Sequence, residues 1–93
     1  MALPPPAADR TALVTGASSG IGVELARQLA ARGHGVTLVA RRAAEMEQLA
    51  EELAGTGVRA EVLPTDLLDR EARAELPARV EALGLQVDVL VNN

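Results

Sequence analysis

The chain has 93 residues, 48% hydrophobic and 24% charged, an ordinary globular balance that argues against a disordered polar chain. Thirteen acidic against nine basic residues give a net charge of −4 with no aromatic residue, which argues against a nucleic-acid surface that stacks bases. Cysteine is absent, so disulfides and thiolate metal sites drop out, and no apolar run approaches the ~20 residues that span a bilayer.

Met1 to Pro6 lacks a basic start and a long apolar core, so residues 1–9 read as a flexible, proline-rich leader and not as a signal peptide. A cytoplasmic protein without a membrane partner is the expectation, and residues 10–93 read as the amino-terminal part of a truncated domain. Ala12-Leu13-Val14 is a short apolar run that reads as a strand. It leads into Thr15-Gly16-Ala17-Ser18-Ser19-Gly20-Ile21-Gly22, a glycine-rich turn that opens a helix. Gly16 can leave the strand with positive φ, Gly20 lets the backbone approach a pyrophosphate, and Gly22 allows close helix packing. The helix directs unpaired N–H groups and the positive end of its dipole at the loop, and the hydroxyls of Ser18 and Ser19 add donors. The spacing G-x-x-x-G-x-G differs from the common G-x-G-x-x-G fingerprint, so the glycines alone also fit a strand-to-helix turn without a ligand.

Ile21, Leu25 and Leu29 recur every four residues beside Ala26 and Ala30 as one buried helix face, closed by Gly33 and Gly35. His34 sits in that turn and reads as a surface residue, with no metal cluster around it. Val36 to Ala40 is a strand buried on both faces. A second helix runs from Ala43 to Ala54, with Met46, Leu49 and Leu53 inward, and ends at Gly55 and Gly57. Val58 to Leu63 reads as a third strand, stopped by Pro64. Leu68, Ala72, Leu76, Val80 and Leu83 mark a third helix that ends at Gly84 and that Pro77 should kink or divide. Its pairs Asp69/Arg73 and Glu75/Arg79 stand at i,i+4 with the acid first, a solvated face. Val87 to Val91 is a fourth strand. Alternating strands and helices with short links predict an α/β fold, a Rossmann-like doubly wound parallel sheet.

The strand ends sharpen the ligand. About 20 residues beyond a glycine loop, a carboxylate accepts from the ribose of NAD, whereas an arginine accommodates the 2′-phosphate of NADP. Arg41 and Arg42 occupy that place and no acid occurs until Glu45, which favours NADP over NAD. The competing reading is two solvated charges at a helix start, where arginine opposes the helix dipole. After the third strand, Asp66 could accept from the exocyclic amine of adenine, or cap the following helix.

Together these features resemble the short-chain dehydrogenase/reductase family. The resemblance is carried by Thr15 to Gly22 as T-G-x-x-x-G-I-G, by Val39-Ala40-Arg41-Arg42, by Asp66-Leu67, and by Val87 to Asn93, the start of the family's N-N-A-G strand end. It covers almost the whole chain from Arg10 onward. It implies that Gly16, Ser18, Ser19, Gly20, Ile21 and Gly22 hold the phosphates, Arg41 with Arg42 the 2′-phosphate, Asp66 and Leu67 the adenine, and Asn93 the ribose. Ser19 departs from the lysine or arginine of many NADP-preferring members, which leaves that preference to Arg41 and its neighbour.

The family also implies hydride transfer between nicotinamide and an alcohol or carbonyl substrate, by a tyrosine and a lysine four residues later, with a serine and an asparagine. Those groups lie beyond Asn93 in family members, which are longer chains, and this chain contains neither Tyr nor Lys. A phenol with a pKa near 10 needs a neighbour to act near neutrality, and nothing here substitutes for the pair. No catalytic residue is therefore expected within residues 1–93, and Asn92 and Asn93 belong to the strand end. In a doubly wound sheet of order 3-2-1-4-5-6 the fourth strand is central, so stopping at Asn93 would leave Val87 to Val91 as an open, mostly apolar edge, and the 93-residue chain is expected to be marginally stable or to self-associate. Three readings follow: the amino-terminal part of an NADP-dependent oxidoreductase, truncated; a non-catalytic NADP-binding module; or a remnant that binds nothing.

Overall fold

The elements alternate along the chain in the computed structural model, which describes residues 3–17 and 20–92. They are β1 (Arg10–Thr15), α1 (Gly20–Ala31), β2 (Val36–Ala40), α2 (Ala43–Ala54), β3 (Ala60–Pro64), α3 (Arg70–Ala82) and β4 (Gln86–Val91). The four strands form one parallel sheet in the order β3-β2-β1-β4. Each link between consecutive strands contains a helix, the connection that parallel neighbours require. This is the doubly wound, Rossmann-like arrangement expected from the strand and helix alternation.

Strand alternation divides the core into two layers. Ala12, Val14, Val36, Leu38 and Ala40 face α1 and α2, where they pack with Ala26, Leu29, Met46, Leu49 and Leu53. Leu13, Val39 and Leu63 face the other way and pack with Leu76 and Val80 of α3 and with Leu85. Every residue of β2 is buried, as its β-branched run predicts for a strand covered on both faces. A buried hydroxyl pair, Thr11 Oγ1 and Thr37 Oγ1 at 2.8 Å, joins β1 to β2 within this core. On the surface Arg27 of α1 grips both carboxylate oxygens of Glu52 of α2 through its Nε and Nη2, 2.6 and 2.9 Å. That hydrogen bonding holds the Glu52 carboxyl below its usual range and raises Arg27. Because both side chains are about half exposed, solvent screens much of the attraction.

Several sequence expectations shift. Ile21 lies on the outside of α1 and is 70% exposed, because Gly22, Ala26, Leu29 and Ala30 make the inward stripe. His34 is 4% exposed and not a surface residue: the turn at Gly33, φ 89°, folds it in while its N–H bonds Leu29 O. β3 starts at Ala60 and includes Pro64 as its last paired residue. Thr65 N–H bonds Ala40 O, so the proline nitrogen one residue earlier turns to the open side of an edge strand, where no donor is needed. Pro77 sits inside α3 without dividing it, since Arg73, whose carbonyl loses its donor, and Pro77 both lie on the exposed side. Leu68 precedes α3 and is 88% exposed, so the helix begins two residues later than its apolar periodicity predicts. Neither Asp69/Arg73 nor Glu75/Arg79 forms an ion pair among the described residues, because Asp69 and both arginines bond backbone instead.

Among the described residues β4 pairs with β1 alone, with a bulge at Asp88 between the pairs Thr11↔Val87 and Ala12↔Val89. Val87 and Leu90 are 43% and 65% exposed. With Leu13, Leu76 and Val80 they line an apolar groove of about 330 Å³ between β4 and α3. β4 is thus the outer strand of the four described.

Candidate nucleotide-binding site

A parallel sheet places its loops, and any ligand crevice, at the carboxyl ends of its strands. Four strand ends converge there. β1 leaves through Gly16 at φ 64°, the left-handed conformation assigned to it from sequence, and Ala17 N–H reaches Val39 O at 3.4 Å. Thr15 Oγ1 lies 3.2 Å from Val91 O and 3.3 Å from Asn92 Oδ1, which ties the end of β1 to the end of β4. Gly20 opens α1, and Gly22 is buried against the fold. Ser18 and Ser19, assigned to phosphate, and Asn93, assigned to ribose, lie outside the described residues.

Gly20 is informative because nothing among the described residues requires it. Its φ is not positive, and a Cβ built there meets no heavy atom within 4 Å. Gly57 and Gly84 are also open, but each has positive φ to account for it. At Gly35, by contrast, an added Cβ would lie 3.2 Å from Arg10 O and 3.3 Å from Arg59 O. The bare backbone at Gly20 faces open space at the amino end of a 12-residue helix with no acidic residue in its first turn. An anion would meet an uncompensated helix dipole there.

The ends of β1, β2 and β3 enclose a cleft of about 310 Å³ lined by Gly16, Ala40, Arg41, Thr65, Asp66, Leu67 and Leu68. Four residues singled out from sequence, Gly16, Arg41, Asp66 and Leu67, therefore meet in one place. Larger hollows lie along α2 and at the opposite end of the sheet, about 660 and 430 Å³, away from these strand ends. Arg41 is exposed and makes no ion pair among the described residues. Arg42 stays outside the cleft: it occupies the N-cap position of α2 without a side-chain capping bond and lies 3.8 Å from Glu45. Ile21 and Gly22 follow Gly20 in the first turn of α1.

The turn between β3 and α3 separates two roles that the sequence left open for Asp66. The helix cap is Asp69, whose side chain accepts from the N–H groups of Glu71 and Ala72. Asp66 Oδ1 instead accepts from Leu68 N–H at 3.0 Å, an Asx turn that holds the carboxylate at the cleft. Two arginines of α3 bond this turn from behind: Arg73 to Leu67 O at 3.3 Å, and Arg79 to Pro64 O at 3.2 Å and Thr65 Oγ1 at 3.0 Å. Sequence reasoning missed Ala40, Thr65 and Leu68 as lining and Arg79 as support. The only signal for Thr65 was its place between Pro64 and Asp66, and Arg79 had none. Among the described residues no group of three or more His, Cys, Asp or Glu could hold a metal, and no helix is long and apolar enough to cross a membrane.

The family model described as short chain dehydrogenase matches residues 10–93. A fatty acyl-CoA reductase of Acinetobacter baylyi is 40% identical over 84 residues, 90% of this chain and 28% of that protein. A metagenomic short-chain oxidoreductase crystallised in complex with NADP superposes with a TM-score of 0.85 at 38% identity, over 92% of this chain and 39% of the other. The 3-oxoacyl-(acyl-carrier-protein) reductase from Agrobacterium tumefaciens, crystallised with NADP bound, gives 0.80 at 38% identity, over 90% and 32%. The chain thus spans less than two-fifths of each of these relatives. With a match running from β1 through β4 and the glycine turn, Arg41 and Asp66 at the strand ends, the chain belongs to the short-chain dehydrogenase family.

Proposed function

We propose that residues 10–93 are the amino-terminal, cofactor-binding part of an NADP(H)-dependent oxidoreductase of alcohols or carbonyls. The observation that carries this reading is the cleft itself: Gly16, Asp66 and an Arg41 without an ion pair among the described residues line it together, and α1 starts at Gly20 without acid in its first turn. These residues fit NADP(H), which supplies the hydride chemistry when bound. The helix start with Gly16, Gly20, Ile21 and Gly22, joined by Ser18 and Ser19, would hold the pyrophosphate. Arg41, with Arg42 adding positive charge nearby, would take the 2′-phosphate. Asp66 and Leu67 would face the adenine and Asn93 the adjoining ribose. The NADP complexes of similar proteins support the choice of cofactor. A cytoplasmic location and assembly into homo-oligomers accord with this reading.

The 93-residue chain has no Tyr and no Lys, so this part binds cofactor and does not itself transfer hydride. That same composition favours, as a second reading, an NADP-binding module without catalysis. Fluorescence titration with NADPH and NADH tests the proposal. A charge-assisted hydrogen bond from Arg41 to the 2′-phosphate is worth roughly 1.5–3 kcal/mol, so Arg41→Ala should weaken NADPH about ten- to hundredfold and NADH far less. Failure of the folded chain to bind either nucleotide would leave a remnant without a ligand. Hydride transfer by the 93-residue chain alone would overturn the assignment of catalysis to residues outside it.

A further inference from the structure

The turn that carries Asp66 is not held by the sheet alone. Pro64 is the last residue of an edge strand, and beyond it the chain must present Asp66 and Leu67 at a fixed height above Ala40 and Arg41. Four hydrogen bonds set that height. Thr65 N–H bonds Ala40 O at 2.8 Å, next to Arg41. The buried Thr65 hydroxyl donates to Leu63 O at 3.0 Å and therefore accepts from Arg79 Nη1, also at 3.0 Å. The same nitrogen bonds Pro64 O at 3.2 Å. A single guanidinium on α3 thus grips both residues before Asp66, and through Thr65 it acts on the junction with β2. The Asx bond to Leu68 N–H uses Asp66 Oδ1, and among the described residues Oδ2 has no hydrogen-bond partner.

We propose that Arg79 is a positioning residue for recognition of the adenine ring. It touches no nucleotide; it holds the Pro64–Thr65 step so that Asp66 meets the adenine edge while Arg41 meets the 2′-phosphate. The inference rests on the nucleotide-binding reading above, and its test separates the two. The charge of Arg79 alone would act on all nucleotides alike, whereas a positioning role predicts a specific loss of base discrimination.

The experiment measures dissociation constants of the chain for NADP, NAD and the hypoxanthine analogue of NADP, which lacks the exocyclic amine, with Arg79→Met and Thr65→Val as variants. Arg79→Met should weaken NADP about tenfold, one lost charge-assisted bond. It should weaken NAD by the same factor and bring the NADP to hypoxanthine-analogue ratio toward one. Thr65→Val keeps Arg79 but removes one of its two acceptors, and should move that ratio the same way, which keeps the test decisive if Arg79→Met fails to fold. A folded Arg79→Met chain whose ratio is unchanged overturns the proposal, whatever happens to overall affinity. So does an unsubstituted chain that binds NADP without discriminating against the analogue. An unsubstituted chain that binds no nucleotide defeats the reading of function instead.

Discussion

Gly20→Ala should separate stability from function in opposite directions. The residue starts α1 with φ outside the positive region, and among the described residues an added Cβ would meet nothing within 4 Å. The described fold therefore loses no contact by the change. Alanine restricts the unfolded chain and favours helix, a gain of about 0.4–1 kcal/mol, with the lower end suited to a first-turn position. For a phosphate resting on the helix start the same methyl occupies the line of approach. Displacing one charge-assisted backbone bond costs about 1.5–3 kcal/mol, or roughly ten- to hundredfold in affinity. Urea denaturation followed by circular dichroism reads the first effect, and NADPH titration reads the second. An unchanged NADPH affinity would show that the open space at Gly20 is not a phosphate seat. A loss of more than about 1 kcal/mol of stability would show instead that the fold itself requires this glycine.

Two further outcomes concern the fold. Thr37→Val leaves the buried Thr11 hydroxyl without its 2.8 Å partner and should cost about 1–3 kcal/mol, while the double change to valine at both positions should recover most of that; additive losses in chemical denaturation would contradict the pairing. The 93-residue chain should associate through the one-sided β4, where Val87 and Leu90 are exposed, and Leu90→Lys should shift sedimentation toward monomer; an unsubstituted chain that stays monomeric at all concentrations would refute this.

The residues proposed for base and phosphate recognition were legible in the sequence to different depths. Gly16, Arg41 and Asp66 could be singled out because each carries a requirement local to the chain: positive φ, a cation just past a strand, an acceptor just past the next. Their meeting in one cleft followed from topology, since parallel strands joined by helical crossovers put all their carboxyl ends on one side. The division of labour between Asp66 and Asp69 was not legible. Both precede the same helix, and only the actual first turn, starting at Arg70, decides which carboxylate reaches the free N–H groups.

The sequence by itself determined the alternation of elements, the two-sided burial of β2, the positive φ of Gly16 and the family, because these depend on residue type and spacing over a few neighbours. Tertiary structure decided what depends on groups far apart in the chain. It turned Ile21 outward and His34 inward, let Pro77 stay within an unbroken α3, and sent Arg79 to Thr65 and Pro64 in place of Glu75. Helical periodicity defines a face only to within a residue or two, and a long side chain on a half-exposed helix chooses its partner from whatever the packing brings near. In this protein the packing brought Arg79 to the back of the Asp66 turn, a contact that no local pattern encodes.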